Sequence, residues 1–97
     1  LPRFPAVSRD LSFFVAREVP VGTLLATVEQ AAGAGLEGVR LFDVYEGKGV
    51  PEGERSVAVT MAYRAADRTL TDTEVDASQA AIIAALEGEH RARVRKA

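Results

Sequence analysis

From Asp10 to Ala16 the chain reads DLSFFVA, in which Leu11, Phe13 and Val15 alternate with Ser12, Phe14 and Ala16. A period of two sends successive side chains to opposite faces, so this stretch predicts a strand with one buried face. After Pro20 the pattern changes. In VGTLLATVEQAA, residues Val21, Leu25, Val28 and Ala32 recur at helical spacing, and Gly33 and Gly35 offer a positive-φ exit. From Gly38, VRLFDVYEG is rich in β-branched and aromatic residues, and from Ser56, SVAVTMAYR sets Val57, Val59, Met61 and Tyr63 against Ser56, Ala58, Thr60, Ala62 and Arg64. Between these two runs lies GKGVPEGE, dense in Gly and Pro, so the pair predicts an antiparallel ribbon with a long, irregular connection.

A second helix has a well-marked start. Thr71 and Glu74 stand in the S/T-x-x-E relation of a capping box, and Leu70 and Val75 occupy the two hydrophobic-staple positions. Val75, Gln79, Ile82 and Leu86 continue a buried stripe with Ile83 beside it, and Gly88 marks the exit. Finally Ala92 and Val94 alternate with Arg91, Arg93 and Arg95, as in a short edge strand whose charges discourage unwanted pairing. The order is therefore βαββαβ. Right-handed crossovers place both helices on one face of a four-stranded antiparallel sheet, an α+β ferredoxin-like two-layer sandwich. The other face is left open. With Leu11, Phe13, Val15, Val57, Val59, Met61 and Tyr63 turned toward the helices, Ser12, Phe14, Ala58, Thr60, Ala62 and Arg64 face outward, joined by Arg93 and Arg95. Such a face is a floor of small residues with an aromatic and arginines at its rim, suited to stacking a base and holding phosphates. It is equally suited to ordinary solvation or to packing on another domain.

At 97 residues the chain has room for one modest core, because a domain of this size buries only about two-thirds of the surface its unfolded chain exposes. A complete active-site cavity is hard to accommodate. No run approaches the roughly 18 apolar residues of a membrane span. Cys is absent, which excludes disulfides, zinc knuckles and thiol nucleophiles and fits a reducing, cytoplasmic setting. The chain begins at Leu1 without a signal segment, as expected of a single domain, 1–97, excised from a longer protein. A formal net charge of −2 does not advertise nucleic-acid binding. Its distribution changes that picture, because all basic residues but Lys48 and Lys96 are Arg, and Arg91, Arg93, Arg95 and Lys96 crowd the C-terminus. Arginine favours planar, bidentate and stacking contacts.

Other chemistry finds little support. The glycines around Lys48 match no phosphate-binding loop, and they lead into a strand where such a loop needs a helix. Asp72, Glu74 and Asp76 lie in a first helical turn, where acids are favoured by the helix dipole without any metal, and the Gly-centred Ca²⁺ loop pattern is missing. His90, the sole histidine, has no orienting partner visible in the sequence, and no serine has a nucleophile-elbow context. Neither metal carriage through Cys-x-x-Cys nor acylphosphatase chemistry through Asn is open to a chain with no Cys and no Asn. The residues favour a binding module over an enzyme.

Four stretches together carry a resemblance: FPAVSRDLSFFV from Phe4, LFDVYEGKGVPEGERSVA from Leu41, MAYRAADRTLTDTEV from Met61, and the helix ending AALEGE. Their motifs F-P-x-x-x-R-D-L, L-F-D-V-Y-x-G and R-T-L-T-D-x-E-V occur in order over nearly the whole chain. The sequence resembles the ferredoxin-fold anticodon-binding (FDX-ACB) domain, the C-terminal module of the bacterial phenylalanyl-tRNA synthetase β subunit. The resemblance implies binding of the tRNA(Phe) anticodon stem-loop, with other domains of the β subunit and the α subunit as further partners. It implies no chemical step and no cofactor in this domain, ATP and Mg²⁺ being engaged elsewhere in the parent enzyme. Matched to the family's motifs, Arg9 meets phosphate and Asp10 accepts from a base or from Arg9, unless the two form a structural pair that fixes the entry turn. Arg64 and Arg68 flank the turn into the second helix, where Arg68 equally serves as an anchor. Phe42, Asp43 and Tyr45 match the L-F-D-V-Y run, with at least one large side chain there expected in the core and a bulge whose phase is open. The expected RNA-binding set is Arg9, Asp10, Ser12, Phe14, Thr60, Arg64, Arg68, Arg93 and Arg95. The competing expectation is a structural module whose open sheet packs on other synthetase domains.

Overall fold

The computed structural model describes residues 4–95, so Lys96 of the basic C-terminal cluster lies outside the described residues. The elements are β1 (Val7–Ala16), α1 (Val21–Ala32), β2 (Leu36–Tyr45), β3 (Glu54–Tyr63), α2 (Asp72–His90) and β4 (Arg93–Val94). Alternation in β1 and β3 acts as the sequence requires: Leu11, Phe13, Val15, Val57, Val59, Met61 and Tyr63 are all buried. They form one cluster with Leu24, Val28 and Ala32 of α1 and Val75, Ile82 and Leu86 of α2. Both helices thus cover the same face of one sheet, ordered β2-β3-β1-β4 with antiparallel neighbours throughout. This is the ferredoxin-like fold.

Within the helices the register differs from the simplest reading. In α1 Leu24 is fully buried, while Val21 and Leu25 stay at the margin. Thr27 takes an interior position because its hydroxyl is satisfied twice, donating to the Thr23 carbonyl at 3.1 Å and lying 2.7 Å from His90 Nε2. Gly33 ends the helix at φ 82°, whereas Gly35 serves by its size: a Cβ there would lie 3.3 Å from Leu70 Cδ1. The capping box of α2 forms as its sequence specifies, with Glu74 N–H donating to Thr71 Oγ1 at 3.2 Å and Thr71 N–H to Glu74 Oε2 at 2.8 Å. Gly88 does not end this helix. It runs on to His90, and Arg91 makes the exit at φ 56°, with its amide bonded to the Glu87 carbonyl and the next amide, Ala92, to Leu86. Those bonds satisfy the terminal carbonyls and hold an L-residue in a backbone region that ordinarily selects Gly.

A polar chain crosses the apolar layer. Gln79 Nε2 donates to Tyr63 Oη at 2.9 Å, Tyr63 Oη lies 2.9 Å from Ser78 Oγ, and Ser78 Oγ donates to the Ala32 carbonyl at 2.8 Å. With Ser78's proton committed to Ala32, Tyr63 donates to Ser78 and accepts from Gln79, so every hydroxyl is satisfied. Gln79, placed in the buried stripe by its spacing, is half-buried and supplies the polar groups that join α2 to β3.

Strand β2 departs most from simple alternation. Register shifts fall between Leu36 and Gly38 and between Leu41 and Asp43, so Leu36, Val39, Leu41 and Val44 pair with the inward residues Tyr63, Met61, Val59 and Val57. Each bulge inserts a residue and flips the phase beyond it. Against the expectation of a large core side chain in this run, Phe42 and Tyr45 are exposed, by 53% and 45%.

Candidate nucleic-acid interface

Strand pairing sets the uncovered face out in four rows across the sheet. They read Gly38–Ala62–Ser8, Arg40–Thr60–Asp10, Asp43–Ala58–Ser12 and Tyr45–Ser56–Phe14–Arg93. Each row follows from cross-strand neighbours that share a face. Ser56 and Ala58 are buried even on this side, beneath the larger side chains around them.

The most developed geometry lies at the Phe14 end. The guanidinium carbons of Arg93 and Arg95 lie 5.4 and 4.9 Å from the Phe14 ring centroid, within cation–π range. Arg93 is oriented by Glu54, its Nη2 2.5 Å from Glu54 Oε1. Arg95 donates through Nη1 to Ser56 Oγ at 3.0 Å, and its own amide donates to the Ser12 carbonyl at 2.8 Å, which extends the β4 edge past Val94. Two guanidinium groups thus lie close to one half-buried aromatic above a small-residue floor. Toward the other end Thr60 Oγ1 donates to Asp10 Oδ1 at 2.8 Å.

Of the residues singled out from the sequence, Asp10, Ser12, Phe14, Thr60, Arg93 and Arg95 come together on this face. The other three arginines are held by acids outside these four rows. Arg9 of β1 pairs with the inward residue Met61 of β3, and its Nη2 sits 3.2 Å from Asp76 Oδ1 and 3.7 Å from Asp72 Oδ1 on α2. The local Arg9–Asp10 pair does not form, because adjacent strand residues point to opposite faces. Arg64, just past β3, donates through Nε to Glu37 at 2.9 Å and through Nη1 to the Phe4 carbonyl. Arg68 grips Glu74 with both nitrogens, Nη1 at 2.7 Å and Nη2 at 2.6 Å. The Arg68 hydrogen bond, then the Thr71 amide, hold the Glu74 carboxyl down at about 2, and Glu74 in turn raises the Arg68 pKa. Arg68 therefore anchors the turn into α2.

Arg40, Asp43 and Tyr45 also occupy the open face, and no count of alternation along β2 finds them there. The L-F-D-V-Y motif was the available signal, but its phase depends on the bulge. The first-turn acids of α2 are drawn to Arg9 and Arg68, and among the described residues no group of three or more His, Asp or Glu side chains converges on a metal-sized site. Nor is any described helix long and apolar enough to cross a membrane. His90 closes α2 against α1 through Thr27.

The family profile described as the ferredoxin-fold anticodon binding domain matches residues 2–95. The chain belongs to this family. Among its relatives, the phenylalanine–tRNA ligase beta subunit of Moorella thermoacetica is 47% identical over 96 residues, 99% of this chain and 12% of that protein. The corresponding subunit of Synechococcus sp. strain JA-3-3Ab is 51% identical over 84 residues, 87% of this chain and 10% of that protein. That of Symbiobacterium thermophilum is 51% identical over 76 residues, 78% of this chain and 8% of that protein. The chain thus spans only about a tenth of the length of these relatives.

Proposed function

We propose that this chain is the anticodon-binding module of a phenylalanine–tRNA ligase β subunit and that it receives the anticodon stem-loop of tRNA(Phe) on the open sheet face. The observation that carries this reading is the Phe14 ring flanked by Arg93 and Arg95 on a face that no helix covers. A single-stranded loop exposes base faces for stacking and base edges for hydrogen bonding, and its phosphates are drawn to arginine. Phe14 supplies the stacking surface, Arg95 and Arg93 the cationic rim, and Ser12, Thr60 and Asp10 the polar groups along the sheet.

The chemical step belongs to the rest of the parent ligase, where ATP, Mg²⁺ and phenylalanine are engaged. Other β-subunit domains and the α subunit are its assembly partners, in the cytoplasm. A net charge of −2 makes RNA binding by this domain alone weak, so most of the affinity comes from the remainder of the ligase. Exposed Phe42 and Phe4 favour an added role in packing against those domains. The deciding experiment is titration of the labelled chain with an anticodon stem-loop, followed by amide chemical shifts at rising salt. Shifts confined to the open face that weaken with salt support the proposal, and shifts confined to the helical face, or none at saturation, refute it.

A further inference from the structure

The end of the open face remote from Phe14 holds a second feature. Ser8, Gly38, Val39, Arg40, Thr60 and Ala62 line a shallow depression of about 300 Å³. It exists because Gly38 has no side chain and Ala62 a minimal one, so two adjacent rows of the sheet fall away. Asp10 lies four residues before Phe14 on β1, about 13 Å away at the usual strand rise, too far for one nucleotide to reach both.

The polar groups around this depression have a defined sense. Thr60 commits its proton to Asp10 Oδ1, so the Thr60 oxygen and the exposed Asp10 carboxylate both offer lone pairs to a ligand. Beside them in the same row stands Arg40, exposed and taking part in none of the ion pairs that engage Arg9, Arg64, Arg68 and Arg93 among the described residues. A site with acceptors on one side and, on the other, a guanidinium that has no ion-pair partner among the described residues complements a ligand that is at once a hydrogen-bond donor and an anion. A nucleotide bearing an amino group is such a ligand. Adenine, cytosine and guanine each present an exocyclic amino group, whereas uracil sets a carbonyl on either side of its single N–H and would turn oxygens toward Asp10 and Thr60.

We infer that this depression is a second nucleotide subsite, which takes an amino-bearing base of the bound loop against Asp10 and Thr60 and its phosphate on Arg40. The inference rests on the anticodon-loop reading above and adds to it a place and a base preference. Phosphate contact makes Arg40 a contributor to affinity on any sequence, and Asp10 the residue that tells bases apart.

The test uses the intact ligase with single substitutions in this domain, and tRNA binding as the readout. Arg40→Gln is expected to weaken binding and to lower the slope of log affinity against log salt by roughly 0.7–0.9, one phosphate contact. Replacing the loop bases one at a time by uracil should reveal a position where uracil costs about tenfold, and Asp10→Asn, which can still accept from Thr60, should erase that penalty. Phe14→Ala serves as the control for the wider proposal. If Phe14→Ala weakens binding while Arg40→Gln and Asp10→Asn leave affinity, salt slope and base preference unchanged, the second subsite is refuted and the anticodon-loop reading stands. If none of the three has any effect, both fall. If Arg40→Gln and Asp10→Asn act as described, the subsite is supported whatever Phe14→Ala does.

Discussion

Arg95 stands over Phe14, its guanidinium carbon 4.9 Å from the ring centroid and its Nη1 3.0 Å from Ser56 Oγ. The two stand near opposite ends of the chain. The contact exists because β4 returns along β1 and pairs Phe14 with Arg93. On the proposed reading, the pair presents a base-stacking surface already flanked by cations. Phe14→Ala is expected to lower stem-loop affinity by about fivefold to 150-fold, since base–aromatic stacking is worth about 1–3 kcal/mol by alanine substitution. Phe14 is only half-buried and lies outside the core, so the variant should remain folded. Fluorescence titration beside a thermal melt checks both statements, and an unchanged affinity would remove Phe14 from the interface.

Glu74 links acidity to stability. Its folded pKa of about 2 lies below the ordinary value of 4.5, so the carboxylate contributes stability that is fully present above about pH 4.5 and is lost as pH falls through 2. Glu74→Gln retains an acceptor for the Thr71 amide but removes the charge that Arg68 grips. Denaturant midpoints measured from pH 5 down to 2 should therefore fall less steeply in the variant. Parallel curves would show that this pair does not contribute.

Tyr63→Phe removes the central oxygen of the chain from Gln79 to Ala32 at a residue only 1% exposed. Gln79 loses an acceptor and Ser78 a donor, both partly buried. A loss of about 1–3 kcal/mol is expected in urea unfolding. Tyr63→Phe should leave RNA affinity unaltered, because Tyr63 faces the helices.

Arg91→Gly tests the exit of α2. An L-residue in the left-handed region carries a cost of about 1–2 kcal/mol, part of which glycine returns as added freedom in the unfolded chain. A gain of about 1 kcal/mol or less is expected, read as a higher denaturant midpoint at unchanged slope. A loss of stability would mean that the Arg91 side chain contributes more than its backbone conformation costs.

Much of the architecture was legible because its signals are local. Alternation in DLSFFVA and SVAVTMAYR depends only on the two-residue period of a strand, and the Thr71–Glu74 box only on one helical turn; each element appears where these signals put it. From those two strands the inward and outward sets follow, so Phe14, Ser12 and Thr60 could be assigned to the open face. The helix ends were less legible. Gly88 carries the residue type of an exit, yet the chain turns at Arg91, where tertiary closure of His90 on Thr27 and the Ala92 amide on Leu86 hold the last turn in place.

The sequence by itself determined the order of elements, the buried faces of β1 and β3 and the membership of the chain in an anticodon-binding family. Only the tertiary structure decided which arginines are committed and which face is complete. Arg9, Arg64, Arg68 and Arg93 are all engaged by acids that sit on other elements or across a turn, Asp76, Glu37, Glu74 and Glu54, and of the four only Arg93 is held against Phe14. The phase of β2, and with it the places of Arg40, Asp43 and Tyr45, was likewise settled by pairing, because a bulge is a mismatch between two strands and leaves no period in either one.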